Sequence, residues 1–325
     1  MSVILRFPVN PKIHLPLAAA FLWSGISLWG QAAVPPASAT AEDSGAVFRT
    51  VTRVVDLHAT VVDKHGHLVT DLPREAFTVS ENGVRQEIRS FKREDVPVSM
   101  GLIIDSSSSM RVKGAKVEAA ALALVRDSNP RDEVFVVDFD DEPHYDLPKG
   151  KDFTSDPKEM EQALERIDAR GGTAMRDAIW GAIAHLKKAH RDKKVLVVVT
   201  DGNDNSSTVP FEDLLRASQQ SGVLIYAVGL LSEEERGEAR HAERALISLT
   251  TATGGEAFFP TDVSDVERIA HQVASDIRSQ YSLVYAPANQ SMDGAFRQIK
   301  VAAKGPGSPT VRTRSGYYAT PDQAN

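Results

Sequence analysis

The sequence has no cysteine among its 325 residues. That excludes disulfides, thiolate chemistry and a lipid-acceptor cysteine behind a leader, so an exported form must be held together by its cores alone. It also lacks a long basic block, and its formal net charge is −7, which argues against nucleic acid as a partner. Basic residues do gather near the C-terminus, at Arg297, Lys300, Lys304, Arg312 and Arg314. They alternate with apolar residues, and this predicts the solvated face of strands. His65 and His67 have no third ligand nearby and read as turn residues rather than a metal pair. None of the nine histidines sits beside a strand end in the way the general base of a serine hydrolase would.

Long apolar runs are missing too, with one exception. Arg6 and Lys12 precede an uncharged stretch from Leu15 to about Val34, followed by the small residues Ala37-Ser38-Ala39. This is the plan of a secretory signal peptide, here placed at 1–39, with a linker at 40–46. At about 20 residues the run is also long enough for an uncleaved anchor, the one membrane association the sequence offers. Either way it predicts export, to the periplasm, the cell surface or the medium.

Beyond the linker, Val55, Leu57, Ala59 and Val61 alternate with Asp56, His58 and Thr60, the pattern of a half-buried strand. Phe77-Thr78-Val79 resumes the β pattern, and Asn82-Gly83 supplies the step favoured in tight hairpins before a strand from Val84 to Phe91. From Val98 to Ser279 strands alternate with helices, the signature of a doubly wound α/β sheet. The last helix of this region starts at a capping box, Ser264-x-x-Glu267, and carries an apolar stripe at Val266, Ile269, Val273 and Ile277. Tyr281, Leu283 and Tyr285 then alternate, and the segments 296–303, 310–314 and 316–318 return to β. The two β segments, of about 50 and 40 residues, are each too small to bury a good core alone. Joined, they could.

The chemistry concentrates in three places. Gly101 to Ile104 reads as a strand buried on both faces, and Asp105 follows it at the carboxyl end, where ligands gather in parallel sheets. Asp105, Ser107 and Ser109 alternate along the loop, so one carboxylate and two hydroxyls can converge while Ser106 and Ser108 point elsewhere; converging hard oxygens suit a hard cation. Gly171-Gly172-Thr173 stands at the mouth of a helix, where Thr173 is also a good N-cap. Thr200-Asp201-Gly202 directly follows the apolar run Val195 to Val199, and Asp201 could be a turn former only.

Together these pieces resemble the metal-ion-dependent adhesion site of the von Willebrand factor type A family. The order Asp-x-Ser-x-Ser, then Thr, then Asp matches over roughly 100 residues. One position departs: the family usually has glycine between the two serines, and Ser108 would bear a cost if φ > 0 were required there. More widely, from about Val47 to Ala319, the chain resembles bacterial VWFA-related proteins. In these a β segment with a Glu-Asn-Gly hairpin precedes the A domain and a Gly-Tyr-Tyr strand closes the chain.

The resemblance implies a Rossmann-like A domain at 98–279, with a mostly parallel sheet, inserted into a small all-β sandwich-like domain made of 47–97 and 280–320, with a tail at 321–325. It implies Mg²⁺ (or Mn²⁺) on Asp105, Ser107, Ser109, Thr173 and Asp201, and a partner protein supplying a carboxylate as the last ligand. If Asp105 and Asp201 act largely through water, the neutral hydroxyls leave the ion most of its charge. The expected role is a binding module rather than an enzyme. The alternative is a metal-dependent hydrolase or a phosphotransferase using Asp105, although Ser107 stands where a phosphotransferase usually has a second carboxylate.

Overall fold

The structure, a computed structural model, describes residues 53–93 and 95–321. The signal peptide and linker assigned to 1–46, and the end of the C-terminal tail, lie outside the described residues. Among the described residues no helix is long and apolar enough to cross a membrane.

The chain enters through β1 (Val55–Val62), whose alternating burial places Val55, Leu57, Ala59 and Val61 inward. β2 (Phe77–Glu81) turns through Asn82 and Gly83, at φ 49° and 81°, into β3 (Val84–Gln86). Positive φ at both central residues is what a two-residue hairpin needs, and Asn-Gly adopts it at little cost. The predicted strand from Val84 to Phe91 is in fact two: β3 pairs with β2, and after Glu87 the chain crosses to another sheet as β4 (Ile88–Arg93). The period-two pattern continues through the crossing, so the change of sheet left no mark in it.

Between the β stretches lies the α/β part. β5 (Val98–Asp105) is followed by α1 (Gly114–Asp127), β6 (Glu133–Phe139) and the edge strand β7 (Pro143–Tyr145). Next come α2 (Pro157–Leu164), α3 (Met175–His185), β8 (Lys193–Thr200), α4 (Phe211–Ser221), β9 (Leu224–Gly229), α5 (Arg236–Thr253), β10 (Ala257–Phe258) and α6 (Val266–Arg278). The six strands are ordered β10-β9-β8-β5-β6-β7, parallel except for β7. β5 is buried along its whole length, because helices cover both faces. Leu102 and Ile104 pack with α1 and α6 on one side, and Ile103 packs with α3 on the other. Gly101 has to be glycine: a Cβ there would lie 2.5 Å from the Phe135 ring and 2.6 Å from Leu196 Cδ2.

The chain runs from β5 to β6 on one side and later returns to β8 on the other. That strand-order reversal opens a crevice beyond the carboxyl ends of β5 and β8, the place where open α/β sheets bind ligands. Asp105 and Asp201 stand there.

α6 carries the predicted stripe inward, with Val266, Ile269, Val273 and Ile277 all buried. Its start differs from expectation. Asp262 accepts from both the amide and the hydroxyl of Ser264, so the Ser264 hydroxyl is spent as a donor and the capping box does not form. α6 then leads into β11 (Tyr281–Tyr285) with two residues between them. β12 (Phe296–Ala303), β13 (Thr310–Arg312) and β14 (Gly316–Tyr318) follow.

The two flanking stretches form two four-stranded sheets, β13-β1-β11-β4 and β14-β12-β2-β3. Both contribute to one core that holds Leu57, Phe77, Val79, Tyr281, Leu283, Tyr285, Ile299 and Tyr317. Glu81, 3% exposed, sits inside this core, accepting from the Tyr285 hydroxyl at 2.7 Å and the Tyr317 hydroxyl at 2.9 Å. Three of the C-terminal basic residues are not solvated as expected. Arg297 shares the inward parity of Ile299 and Val301, is buried, and bonds both oxygens of Asp293 at 2.9 Å. Arg312 reaches Asp276 of α6 at 2.5 Å and pairs with Glu256. Arg314 donates to the Asp56 carbonyl at 3.0 Å. A carboxylate or carbonyl partner is what makes such positions tolerable for a guanidinium.

Candidate metal centre

Asp105 closes β5 and is 1% exposed. Its Oδ1 accepts from the Ser107 amide at 2.8 Å and its Oδ2 from the Thr200 hydroxyl at 2.6 Å. Burial pushes its carboxyl up to about 6, helped by the charge of Asp201 and opposed by the bonds from Ser107 and Thr200.

The loop after Asp105 alternates in the manner expected of it. The Ser107 and Ser109 hydroxyls lie 3.1 Å apart, and Ser109 donates to Asp201 Oδ1 at 2.9 Å. Ser106 turns away and donates to Asp138 at 2.5 Å. Ser108 also turns away, giving both its amide and its hydroxyl to the Gly171 carbonyl, at 3.3 and 3.2 Å. It opens a short 3-10 turn, Ser108–Val112. The backbone there is not left-handed: among the described residues Asn82 and Ser308 are the non-glycines with positive φ. The expected cost of serine in place of glycine therefore does not arise.

Thr173 lies on the adjoining loop, 4% exposed. Its amide donates to Asn205 Oδ1 at 2.9 Å, and its carbonyl accepts from the amides of Asn205 and Ser206 at 3.1 Å each. The loop that follows β8 thus clamps the loop that precedes α3, and Ser108 ties the latter to the loop that follows β5. The preceding glycines suit this place, Gly171 through its left-handed backbone and Gly172 through the close approach of side-chain oxygens. Gly171 has φ +65°, and a Cβ on Gly172 would lie 2.5 Å from Ser206 Oγ and 2.8 Å from Asp141 Oδ1. Thr173 does not cap the helix: α3 begins at Met175 behind Ala174, with no side-chain cap. The structure therefore joins Asp105, Ser107, Ser109 and Asp201 through their own hydrogen bonds and to Thr200. Thr173 stands beside them on a loop that both neighbouring loops hold, and its hydroxyl joins none of these bonds.

Lys113 also belongs to the cluster, although no motif in the sequence marks it. Its ammonium, almost fully buried, donates to Asp201 Oδ2 at 2.8 Å. No local pattern points to it: Lys113 follows the 3-10 turn, and its partner Asp201 lies 88 residues along the chain. Among the described residues no group of three or more acidic, histidine or cysteine side chains gathers as a metal site would. The cluster is instead two carboxylates with hydroxyls and one ammonium.

The description "von Willebrand factor type A domain" belongs to a family model that matches residues 100–203. The chain carries a type A domain. That span holds all the residues of the cluster.

A relative from Borreliella burgdorferi, described as an uncharacterized protein, is 28% identical over 144 residues, covering 43% of this chain and 40% of that one. The match thus spans less than half the length of that relative. Among solved structures, the type A protein of Catenulispora acidiphila aligns at TM-score 0.49 and 17% identity, over 84% of this chain and 75% of that one. Proximal thread matrix protein 1 from the mussel byssus, with a zinc-occupied MIDAS motif, aligns at 0.48 and 17%, over 59% and 48%. The vWF domain of the type V pili tip protein Mfa5 from Porphyromonas gingivalis aligns at 0.45 and 14%, over 56% and 97%.

Proposed function

We propose that this is an exported protein-binding module whose type A domain holds Mg²⁺ (or Mn²⁺) on Asp105, Ser107, Ser109, Thr173 and Asp201 and captures a carboxylate of a partner protein. One observation carries the reading: Asp105, Ser107, Ser109 and Asp201 meet in one hydrogen-bonded cluster in the crevice beyond β5 and β8. The donor set fits a hard cation, since every group in it is an oxygen. Its two carboxylates are almost fully buried, and Asp105 is pushed up to about 6 by burial and by Asp201, a repulsion that a cation relieves.

When bound, the ion supplies a positive centre to which an oxygen ligand from outside can attach. Ser107 and Ser109 offer neutral hydroxyls. Asp201 already spends one oxygen on Ser109 and the other on Lys113, and Asp105 spends both of its own on Ser107 and Thr200. With these oxygens so engaged, the carboxylates would act on the ion largely through water, which leaves it more charge for a carboxylate from a partner. The reading assigns the cluster a binding role; the alternative, a metal-dependent hydrolase or phosphotransferase using Asp105, would show itself in assays on model esters and phosphates. Export is proposed from the N-terminal uncharged run behind Arg6 and Lys12.

The test is capture from an envelope extract on immobilised protein. Wild type should retain a partner in Mg²⁺ and release it in EDTA, while Asp105→Ala should retain none. Capture that persists in EDTA, or in Asp105→Ala, would overturn the reading.

A further inference from the structure

Lys113 directly precedes α1, and its ammonium lies against Asp201. It is 7% exposed and Asp201 1%, so water screens the pair little and its charge counts nearly in full. Lysine is a compact, strongly hydrated charge that is rarely buried without purpose. Here it sits against one of the two carboxylates that would attract a cation, and that placement works against tight cation binding.

We propose that Lys113 is a fixed counter-charge that makes binding of the cation and binding of the partner's carboxylate depend on each other. This rests on the reading of the cluster as a cation site. Asp105 and Asp201 bring two negative charges, and Lys113 returns one positive charge. The residues therefore hold a divalent ion less tightly than two carboxylates alone would, and they leave the occupied site with one more unit of positive charge. That unit is the attraction an external carboxylate feels. Cation and carboxylate then each raise the affinity for the other by the same factor, as linkage requires. Without Lys113 the chain would quench the ion itself, and the occupied site would draw a partner less. Glu234 faces the same spot, with Oε1 3.4 Å from where a Gly202 Cβ would lie. It is common to all variants at position 113, so comparing them isolates the lysine.

The experiment measures Mn²⁺ binding to the full chain, with free Mn²⁺ counted by electron paramagnetic resonance. Acetate serves as the probe carboxylate and chloride replaces it at equal ionic strength. Lys113→Met should tighten Mn²⁺ binding at least about tenfold in chloride, the scale expected for removing a unit charge a few ångströms away. Acetate should tighten Mn²⁺ binding in wild type and have little effect in Lys113→Met. Lys113→Gln, uncharged but able to hydrogen-bond Asp201, should behave like Lys113→Met and supplies the measurement if the methionine variant does not fold. Lys113→Arg, which keeps the charge, should behave like wild type. A purely structural ion pair would move the melting temperature of these variants without moving the acetate dependence. Equal Mn²⁺ affinity in wild type and both uncharged variants, or an undiminished acetate effect in them, overturns the role of Lys113 alone. No Mn²⁺ binding in any of the proteins overturns the cation reading and this inference with it.

Discussion

Glu81 gives the sharpest test of how the two β stretches hold each other. It lies at the end of β2, in the N-terminal stretch, while its donors Tyr285 and Tyr317 come from the C-terminal stretch beyond the A domain. All three side chains are at most 3% exposed. Burial, followed by the bond to Glu81, holds both phenols above their ordinary range, so the hydroxyls remain donors at any ordinary pH. Among the described residues Glu81 is the acceptor of both, and Glu81→Leu removes it at nearly constant volume. Two charge-assisted bonds are lost and two buried hydroxyls are stranded, which should cost about 4 kcal/mol. In the Tyr285→Phe, Tyr317→Phe background the same change removes a buried carboxylate that has already lost both donors, and should cost less than about 1 kcal/mol or stabilise. Urea denaturation followed by circular dichroism on the four proteins closes the cycle. If Glu81→Leu costs as much in the double-Phe background as in wild type, the network is not what joins the stretches.

Two further outcomes are expected. Burial, then the nearby Lys193, depresses His58 from 6.5 to about 4, so the folded chain keeps it neutral while the unfolded chain protonates it as pH falls below 6.5. Stability is then lost between about 6.5 and 4, and in denaturation curves at pH 7 and pH 5 wild type should lose about 2 kcal/mol more than His58→Gln; equal losses would show that His58 is not buried neutral. We also propose that the A domain is inserted into a single sandwich. Residues 98–280 expressed alone should then unfold cooperatively, whereas 47–97 alone should show no cooperative transition by circular dichroism, and a cooperative transition in 47–97 would refute the insertion.

What could be read from the sequence was whatever is written in one short stretch. Alternation at Val55, Leu57, Ala59 and Val61 gave the inward face of β1 because a strand has a period of two. Asn82-Gly83 gave the turn because those residues accept φ > 0. β5 was legible because both of its faces are apolar, and with it the loop from Asp105 to Ser109. What depends on partners that the hydrophobic pattern does not reveal was not legible. Arg297 is inward because Asp293 lies within reach of its guanidinium; strand parity allowed this but polarity argued against it. The change of sheet at Glu87 depends on β11 arriving beside β4. The start of α6 was misread because Asp262 competes for the Ser264 amide two residues before the box could form. Lys113 went unnoticed because its partner Asp201 lies 88 residues away.

The central claim is that Asp105 and Asp201, with the hydroxyls around them, hold a divalent cation. Titration calorimetry of Mg²⁺ into wild type and into the Asp105→Ala, Asp201→Ala double variant tests it most directly. One ion per chain is expected in wild type and none in the double variant, with circular dichroism showing both folded. Equal binding in the two proteins, or no binding in either, would contradict it.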